Sequence, residues 1–315
     1  MIKPKRLKKG DTIGVVSPAS GPWRRSDMWR SIEALEGLGY CVKTSSHAYM
    51  NNYYVSGTDA QRAEDFNCFF KDDTVDAIFC SHGGYGAARI INQLDYAAIA
   101  ANPKIFVGYS DITALHLAIS KFCGLVTFHG SNSVSFGSDF MTPYRHEMLF
   151  KAVASEDPIG EIKMASDREY LVKMNPGTVK GELTGGNLTM ICSSLGTNYE
   201  IDVKDKILFL EDVSIEPWFI DHLLIHLLNA GKLHEAAGIV VGQFLDCGPS
   251  KFSPLFYSQK SPEDVLFDIL EPLGKPLIYG LPIGHTKDMA TLPMGVMAEL
   301  DSKAGKLTVL ERGTA

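Results

Sequence analysis

The stretch "IFVGYSDITALHLAI", residues 105–119, combines the pattern of a buried strand, a sharp turn and a helix. The apolar run stops at Gly108, and Ser110 stands directly before an amphipathic pattern of helical period. Serine favours the N-cap of a helix, and this stretch alone favours that role for Ser110. The alternative is a nucleophile on a strand-to-helix turn, usually written G-x-S-x-G. Only the first of those two glycines is present here.

The first half of the chain repeats this plan of a strand followed by a helix. The alternation predicts parallel βαβ units with right-handed crossovers, and therefore an α/β fold with a mostly parallel sheet. Ligands of such sheets bind at the carboxyl ends of the strands. The first helix is predicted to begin after an N-cap at Ser26. The predicted strands are "TIGVV", "CVKTSS", "VDAIFC" and "KIFVG", and the helices between them are "SDMWRSIEALEGLG", "GTDAQRAEDFNCFFKD" and "AARIINQLD".

The character of the chain changes after about Glu156, where residues 156–186 are polar, turn-rich and β-leaning. We therefore predict an N-terminal α/β domain over residues 1–156, an inter-domain crossover over 157–180, and a C-terminal domain over 181–315. The C-terminal part mixes strands with helices. Its end carries "DSKAGK" between two alternating runs, which predicts a hairpin.

Composition and charge narrow the class of protein. The 315 residues carry a formal charge of −7, and no basic cluster follows the first ten residues, so we expect no nucleic-acid partner. The six cysteines form no C-x-x-C pair, and we interpret them as reduced, mostly buried thiols. The apolar part of the start, "TIGVV", is too short for a signal peptide, and no apolar run is long enough to span a membrane. We expect a soluble, cytoplasmic protein.

A glycine-rich loop, "SHGGYGAAR" at residues 81–89, follows the strand before the serine strand. It is expected to open on the same sheet edge, where adjacent glycines let backbone N–H groups approach a substrate carbonyl. A phosphate-binding or purely structural turn is the alternative, although the loop lacks the lysine of a P-loop.

A nucleophilic serine needs a base and an acidic group that orients the base. His285 lies in a Gly/Pro-bounded turn after an apolar strand, which suits a presented side chain. Glu211 and Asp212 end the strand "KILFLEDV" and alternate between its faces, so either one could face a site. A solvated strand end explains these acids equally well. His222 and His226 have the spacing of zinc ligands but lack the glutamate of H-E-x-x-H, and we expect no metal.

Several motifs together resemble one family. They are "VVSPASGP", the segment from "SGTDAQRAEDF" to "CSHGGYGA", "VGYSDITALHLAI", "TFHG", "LTGGNL", "FLEDV" and "GLPIGHTKDMATLPMG". In this order they resemble the bacterial LD-carboxypeptidases, serine peptidases that trim cytoplasmic muropeptides, and the related microcin-immunity peptidases. The resemblance runs through nearly the whole sequence.

The resemblance implies a catalytic triad of Ser110, Glu211 and His285. It implies an oxyanion hole made by backbone N–H groups of Gly84, or its neighbour Gly83, and of Asp111. It also implies a Rossmann-like N-terminal domain, a β-rich C-terminal domain of the swivelling type, a homodimer, and no cofactor.

The activity implied is cleavage of the LD-peptide bond that releases the terminal D-alanine from muropeptide tetrapeptides during peptidoglycan recycling. The alternative within the family is hydrolysis of aminoacyl-nucleotide antibiotics. Members of that branch carry a tryptophan in the inter-domain region, whereas the tryptophans here, at positions 23, 29 and 218, lie outside residues 156–187. This favours the muropeptide. A non-catalytic binding protein on the same scaffold is a third interpretation, weakened because every triad position is filled.

Substrate contacts are predicted at Gly83, Arg89 and Trp218, with Arg89 as the cation for the free carboxylate of the substrate. Two positions depart from the family pattern. His82 stands where the family often has arginine, and Trp218 where it often has tyrosine.

Overall fold

The computed structural model describes residues 1–166, 170–251, 254–256 and 258–315, which form two compact units. The first unit contains Met1–Ile159, Met289–Val296 and Glu311–Ala315, and the second contains Gly160–Asp288 and Met297–Leu310. The chain therefore returns twice to the first unit after residue 288, in a region that the sequence analysis assigned wholly to the C-terminal domain. Residues 167–169 of the predicted crossover lie outside the described residues.

Strands and helices alternate along the first unit, and strands predominate in the second. In chain order the strands are β1 (Thr12–Val16), β2 (Cys41–Thr44), β3 (Ala77–Cys80), β4 (Ile105–Gly108), β5 (Thr127–His129), β6 (Gly160–Glu161), β7 (Val172–Met174), β8 (Thr178–Asn187), β9 (Ile207–Val213), β10 (Gly238–Leu245), β11 (Leu277–Tyr279), β12 (Leu292–Met294), β13 (Met297–Asp301) and β14 (Lys306–Val309).

The helices are α1 (Arg25–Gly37), α2 (Asp59–Lys71), α3 (Tyr96–Ala101), α4 (Thr113–Cys123), α5 (Pro143–Ala154), α6 (Leu188–Ser194), α7 (Pro217–Asn229), α8 (Lys232–Glu235) and α9 (Pro262–Leu270). Four 3₁₀-helices cover Ala87–Gln93, Ser110–Ile112, Ser133–Gly137 and Glu271–Leu273.

The sheet of the first unit has six strands in the order β12-β5-β4-β3-β1-β2. All pairs among β1 to β5 are parallel, and only the edge strand β12 is antiparallel. Every residue of β3 and β4 is buried, as expected for parallel strands covered on both faces. The strand order reverses between β1 and β3, and such a switch point is where α/β sheets bind ligands. The predicted α/β fold with a mostly parallel sheet is confirmed.

The helices of this unit differ in how their first N–H groups are capped. Thr58 and Gln61 form a capping box at the start of α2, so both side chains pair with backbone N–H groups there. The predicted cap at Ser26 is wrong: α1 begins at Arg25, and its N-cap residue Arg24 is extended without a side-chain cap bond. The helix predicted after the glycine loop is a 3₁₀-helix, Ala87–Gln93.

The second unit is built on an eight-stranded sheet in the order β6-β14-β13-β8-β9-β10-β11-β7. Its central strands β8, β9, β10 and β11 are parallel, and the flanking pairs are antiparallel. The hairpin predicted around "DSKAGK" is formed by β13 and β14. This β-rich arrangement with α-helices confirms the fold class expected for the C-terminal domain.

The state of the cysteines and the character of the helices were also predicted from the sequence. All six cysteines are free thiols, and four of them are buried. Across the described ranges, no helix combines the length and the apolar character needed to cross a lipid bilayer.

Candidate active site

Ser110 occupies a strained turn at the carboxyl end of β4. Its φ is +66°, a left-handed conformation that costs a non-glycine residue about 1 to 3 kcal/mol. Tyr109 before it is extended, the short 3₁₀-helix begins at Ser110 itself, and α4 follows from Thr113. The hydroxyl of Ser110 caps neither of these helices. The interpretation of Ser110 as an ordinary N-cap is therefore wrong, and a strained turn that presents a side chain is typical of a nucleophile.

The glycine loop lies directly beside this turn. A Cβ atom added to Gly83 would be 2.8 Å from the Cβ of Ser110 and 3.1 Å from the carbonyl oxygen of Tyr109. Gly84 has a φ of +89°, and an added Cβ there would be 2.3 Å from Oγ of Ser20. Only glycine fits at these two positions, which is how the backbone of the loop approaches the turn. The sequence prediction that the loop and Ser110 share one sheet edge agrees with this geometry.

Ser20, in the loop after β1, fastens the glycine loop and was not identified from the sequence. Its backbone N–H donates to the carbonyl of Gly83 at 3.0 Å. Its hydroxyl accepts from the N–H of Tyr85 at 3.1 Å and donates to the carbonyl of Tyr54 at 2.6 Å. The motif "VVSPASGP" is part of the family resemblance, and only three-dimensional contacts reveal what its second serine holds.

Asp111 and His116 are buried titratable groups behind the turn. The Asp111 carboxylate accepts the backbone N–H of Ala87 at 2.7 Å, and burial raises its pKa to about 6. His116 is fully buried, and its Nε2 lies 2.8 Å from the carbonyl oxygen of Gly108 at the end of β4. Burial lowers the pKa of His116 to about 3. A neutral His116 that donates to Gly108 therefore supports the strand end.

Glu211 and His285 meet within the second unit. Nδ1 of His285 lies 2.7 Å from Oε2 of Glu211, which is fully buried at the end of β9. The side chain of His285 keeps 16% of its surface exposed. With Nδ1 bound to the carboxylate, Nε2 is the ring nitrogen that can accept a proton. This arrangement supplies an oriented base of the kind that activates a serine.

Gly284 makes room for the Glu211 carboxylate. Its φ is +89°, and a Cβ atom added there would lie 2.3 Å from Oε2 and 2.6 Å from Cβ of Glu211. The absence of a side chain at Gly284 therefore leaves space for Glu211, the acid that orients His285. Its presence in the sequence gave no indication of this contact, because Glu211 precedes it by 73 residues.

The acid beside Glu211 faces a different set of groups. Asp212 accepts from Nδ2 of Asn187 at 3.0 Å and from the N–H and hydroxyl of Thr189 at 2.9 and 2.7 Å. Burial and the neighbouring Glu211 raise the pKa of Asp212. Both acids are buried, so the interpretation of a solvated strand end is wrong. Because successive side chains of a strand point to opposite faces, Glu211 contacts His285 and Asp212 contacts the start of α6.

The other predicted contacts are placed as follows. Arg89 binds Asp59 through two parallel bonds, Nε to Oδ1 at 2.8 Å and Nη2 to Oδ2 at 2.7 Å, so its bidentate edge is already occupied. Trp218, in the first turn of α7, packs against Phe219 and Phe256 with ring centroids 5.4 and 6.0 Å apart.

The predicted site residues are divided between the two units. Ser110, Gly83, Gly84, Asp111 and Arg89 belong to the first, and Glu211, Trp218 and His285 belong to the second. His82, the departure beside the glycine loop, packs edge-on against Trp23 with centroids 5.8 Å apart. In the described part of the chain, no group of three or more His, Cys, Asp or Glu side chains is arranged to hold a metal ion.

Comparison with protein families finds two matches that together cover most of the chain. Residues 13–130 match the LD-carboxypeptidase N-terminal domain, and residues 180–300 match the LD-carboxypeptidase C-terminal domain. A probable murein peptide carboxypeptidase of Bacillus subtilis is 40% identical, over 99% of this chain and 95% of the relative.

Solved structures are similar over the same extent. The structure of MccF in complex with glutamyl sulfamoyl guanosine is similar with a TM-score of 0.91 and 25% identity, and all of both chains is covered. Muramoyltetrapeptide carboxypeptidase from Oxalobacter formigenes gives a TM-score of 0.81 at 30% identity, over 96% of this chain and 99% of that one.

Proposed function

The chain belongs to the LD-carboxypeptidase family and is a serine-type carboxypeptidase, and from this premise we propose that it releases the terminal D-alanine of muropeptide tetrapeptides. The bond cleaved joins an L-centre to the D-residue, and the product feeds peptidoglycan recycling in the cytoplasm. The observation that carries the proposal is the strained Ser110 turn beside the glycine loop, together with a histidine oriented by a buried glutamate.

In this proposal Ser110 is the nucleophile and His285 is the general base. Glu211 holds Nδ1–H of His285, which leaves Nε2 to take the proton from the serine hydroxyl as it attacks the amide carbonyl. The buried carboxylate also stabilises the imidazolium that forms. His285 then gives the proton to the amine of the leaving D-alanine, and water cleaves the acyl-enzyme by the same route in reverse.

The backbone N–H groups of Gly84 and Asp111 are proposed to stabilise the tetrahedral oxyanion. One such donor contributes about 10²- to 10³-fold to kcat where it has been removed from another serine hydrolase. The close approach of the glycine loop to Ser110 supports this assignment, since donors from the two segments must converge on one oxygen atom.

The substrate contacts predicted from the sequence remain part of the proposal at Gly83, Arg89 and Trp218. Because Asp59 occupies the bidentate edge of Arg89, this arginine can offer a substrate carboxylate only its remaining N–H groups. We also propose that the protein works as a homodimer, which light scattering on the purified chain tests directly.

The second candidate is hydrolysis of an aminoacyl-nucleotide antibiotic. The similarity to MccF bound to glutamyl sulfamoyl guanosine supports this alternative. The 40% identity to a murein peptide carboxypeptidase, against 29% to the MccF of Escherichia coli, favours the muropeptide.

The first prediction is release of free D-alanine from a purified tetrapeptide muropeptide by the native protein, and its loss in Ser110→Ala. Loss of the nucleophile is expected to lower kcat by about 10⁶-fold, because the base and the acid act only through it. D-alanine is measured by a coupled oxidase assay. Ser120→Ala, a change at a serine within α4, is the matched control and is expected to keep native activity.

Each other outcome has a definite meaning. Release that persists in Ser110→Ala contradicts the assignment of the nucleophile. A native protein that releases no D-alanine but hydrolyses aminoacyl-sulfamoyl-adenosine is an immunity-type peptidase, and the muropeptide proposal is then wrong.

A further inference from the structure

We infer that the Asp111 side chain is a positioning residue for the oxyanion hole, which fixes the glycine loop against the nucleophile turn by accepting the N–H of Ala87. The inference rests on the proposed function, because it concerns how that catalytic machinery is held together. It assigns to the Asp111 carboxylate a task separate from that of its own backbone N–H.

The bond joins the two segments that must stay in register. Asp111 directly follows Ser110, and Ala87 directly follows Gly86, the last glycine of the loop. The distance from Oδ2 of Asp111 to N of Ala87 is 2.7 Å, typical of a bond to an ionised acceptor. The 3₁₀-helix that begins at Ala87 has Gly86 at its N-cap, with no side chain to cap it. Asp111 therefore binds, from a distant part of the chain, a first-turn N–H group that has no partner within its own helix.

The opposite side of the loop is held by a buried arginine. The Arg62 side chain is 1% exposed, and its Nη1 donates to the carbonyl of Gly86 at 2.8 Å and also to the carbonyl of Pro18. Asp59 in turn pairs with Arg62 and, through its second oxygen, with Arg89. The peptide unit between Gly86 and Ala87 is thus bound at its carbonyl by Arg62 and at its N–H by Asp111. Both of its hydrogen-bonding groups are fixed by side chains.

Burial of the Asp111 carboxylate is energetically unfavourable, which argues that this side chain has a specific role. Asp111 is 4% exposed, and burial raises its pKa to about 6, although the Ala87 N–H and Arg62 act to lower it. Burying an ionisable group carries a desolvation cost that a neutral side chain avoids. Gly84 and Gly86 have φ of +89° and +111°, and because glycine is conformationally permissive, the loop depends on contacts such as this one to keep its conformation. A small rotation of that peptide unit would move the N–H of Gly84 away from the developing oxyanion.

The test compares Asp111→Ala, which removes the acceptor, with Asp111→Asn, which keeps an oxygen at the same place. We expect Asp111→Ala to lower kcat for D-alanine release about 100-fold, the effect of losing one oxyanion donor, with KM changed less than threefold. Asp111→Asn is expected to stay within about tenfold of native kcat, because its amide oxygen can accept the Ala87 N–H.

Asp95→Ala is the matched control. Asp95 accepts the N–H of Ala98 at 3.0 Å at the start of α3, so its loss removes the same kind of bond elsewhere in the same unit, together with an ion pair to Lys71. It is expected to lower the melting temperature without changing kcat. If Asp111→Ala does not fold, Asp111→Leu, which fills the volume without an acceptor, replaces it. Native kcat in a folded Asp111→Ala or Asp111→Leu protein would overturn the inference, as would equal losses in the asparagine and alanine variants.

A second readout separates this inference from the choice of substrate. The rate at which a fluorophosphonate labels Ser110 depends on the nucleophile and the oxyanion hole but needs no muropeptide. We expect labelling to slow in Asp111→Ala and to recover in Asp111→Asn. A native protein that is labelled but releases no D-alanine would refute the proposed substrate and still allow this test.

Discussion

Each unit contains a histidine whose ring nitrogen is held by one oxygen atom, and the two histidines differ in what they can do. His116 in the first unit is fully buried against a backbone carbonyl, and its pKa is lowered to about 3. His285 in the second unit is held by a carboxylate and keeps part of its side chain exposed. Burial keeps the imidazole of His116 neutral, although its bond to the Gly108 carbonyl acts to raise its pKa. The Glu211 carboxylate instead orients a ring that solvent reaches. Residue type alone does not identify a base; the partner and the exposure do.

Of the changes that bear on these two histidines, the largest expected effect comes from replacing Glu211, the partner of His285. Glu211→Gln replaces the carboxylate acceptor of Nδ1–H by an amide, so the ring is no longer fixed in the tautomer that carries its proton on Nδ1. The equivalent change in another serine hydrolase lowers kcat about 10⁴-fold, and we expect a loss of that order in the D-alanine assay.

Asp212→Asn is the control for this change, because Asp212 is the next residue on the same strand and faces the start of α6. It is expected to lower stability, measured by urea unfolding, with less than a tenfold effect on kcat. Equal losses of kcat in the two variants would contradict a specific role for Glu211.

A smaller loss of activity is expected when Glu211 is kept but displaced from His285. Gly284→Ala places a Cβ atom where Oε2 of Glu211 now lies, at 2.3 Å, and also strains a residue with φ of +89°. Gly231→Ala imposes the same strain at φ of +77° with nothing within 4 Å of the new atom. Both are expected to lose about 1 to 2 kcal/mol of unfolding free energy from the left-handed conformation.

Only Gly284→Ala is expected to lower kcat, because it also moves Glu211 away from His285. Steady-state kinetics and urea unfolding on the two variants separate strain from displacement. If Gly231→Ala loses as much activity as Gly284→Ala, contact with Glu211 does not explain the loss of activity at position 284.

The last expected effect is on stability and not on catalysis, and it concerns His116, the histidine that stays neutral. Between about pH 3 and pH 6.5 the unfolded chain binds a proton at His116 and the native state does not. The native state is therefore destabilised as the pH falls through this window, by up to about 1.4 kcal/mol per pH unit from this residue. Unfolding free energies at pH 4, 5 and 6 should rise less steeply in His116→Gln, which keeps a donor for Gly108 and cannot titrate there.

Asp111 acts in the opposite direction. Its pKa is raised to about 6, so the native state binds more protons than the unfolded chain between pH 3.8 and 6. This contribution is present in both proteins and cancels when native and His116→Gln are compared. Identical slopes in the two proteins would show that His116 does not control this part of the pH dependence.

The fold followed from the sequence where local pattern determines structure. The apolar runs that became β1, β3 and β4 are buried β-rich segments between helical patterns, and hairpin β13–β14 is marked by its turn residues. Strand β12 was missed because "LPM" is short, contains proline and pairs with β5, which lies 163 residues earlier from Leu292 to His129. A long-range partner of that kind leaves no local pattern.

The candidate site was predictable at the level of residues and not at the level of contacts. The same residues are compatible with an N-cap serine and with a serine on a strained turn, and only the φ of +66° at Ser110 separates the two. Strand alternation divided Glu211 from Asp212 but did not say which of them faces the histidine. The contacts of Ser20, Arg62 and Gly284 depend on segments far apart in the chain, and no spacing in the sequence indicates them.

The edge strand β12 has a consequence for synthesis on the ribosome. The first 159 residues contain the five parallel strands of the first sheet, yet the outer edge of β5 waits for residues 292–294. An unpaired strand edge is a template for pairing with other chains. During translation the first unit therefore stays incomplete while almost the whole second unit is made, and the edge of β5 stays open to pairing with other chains through that interval.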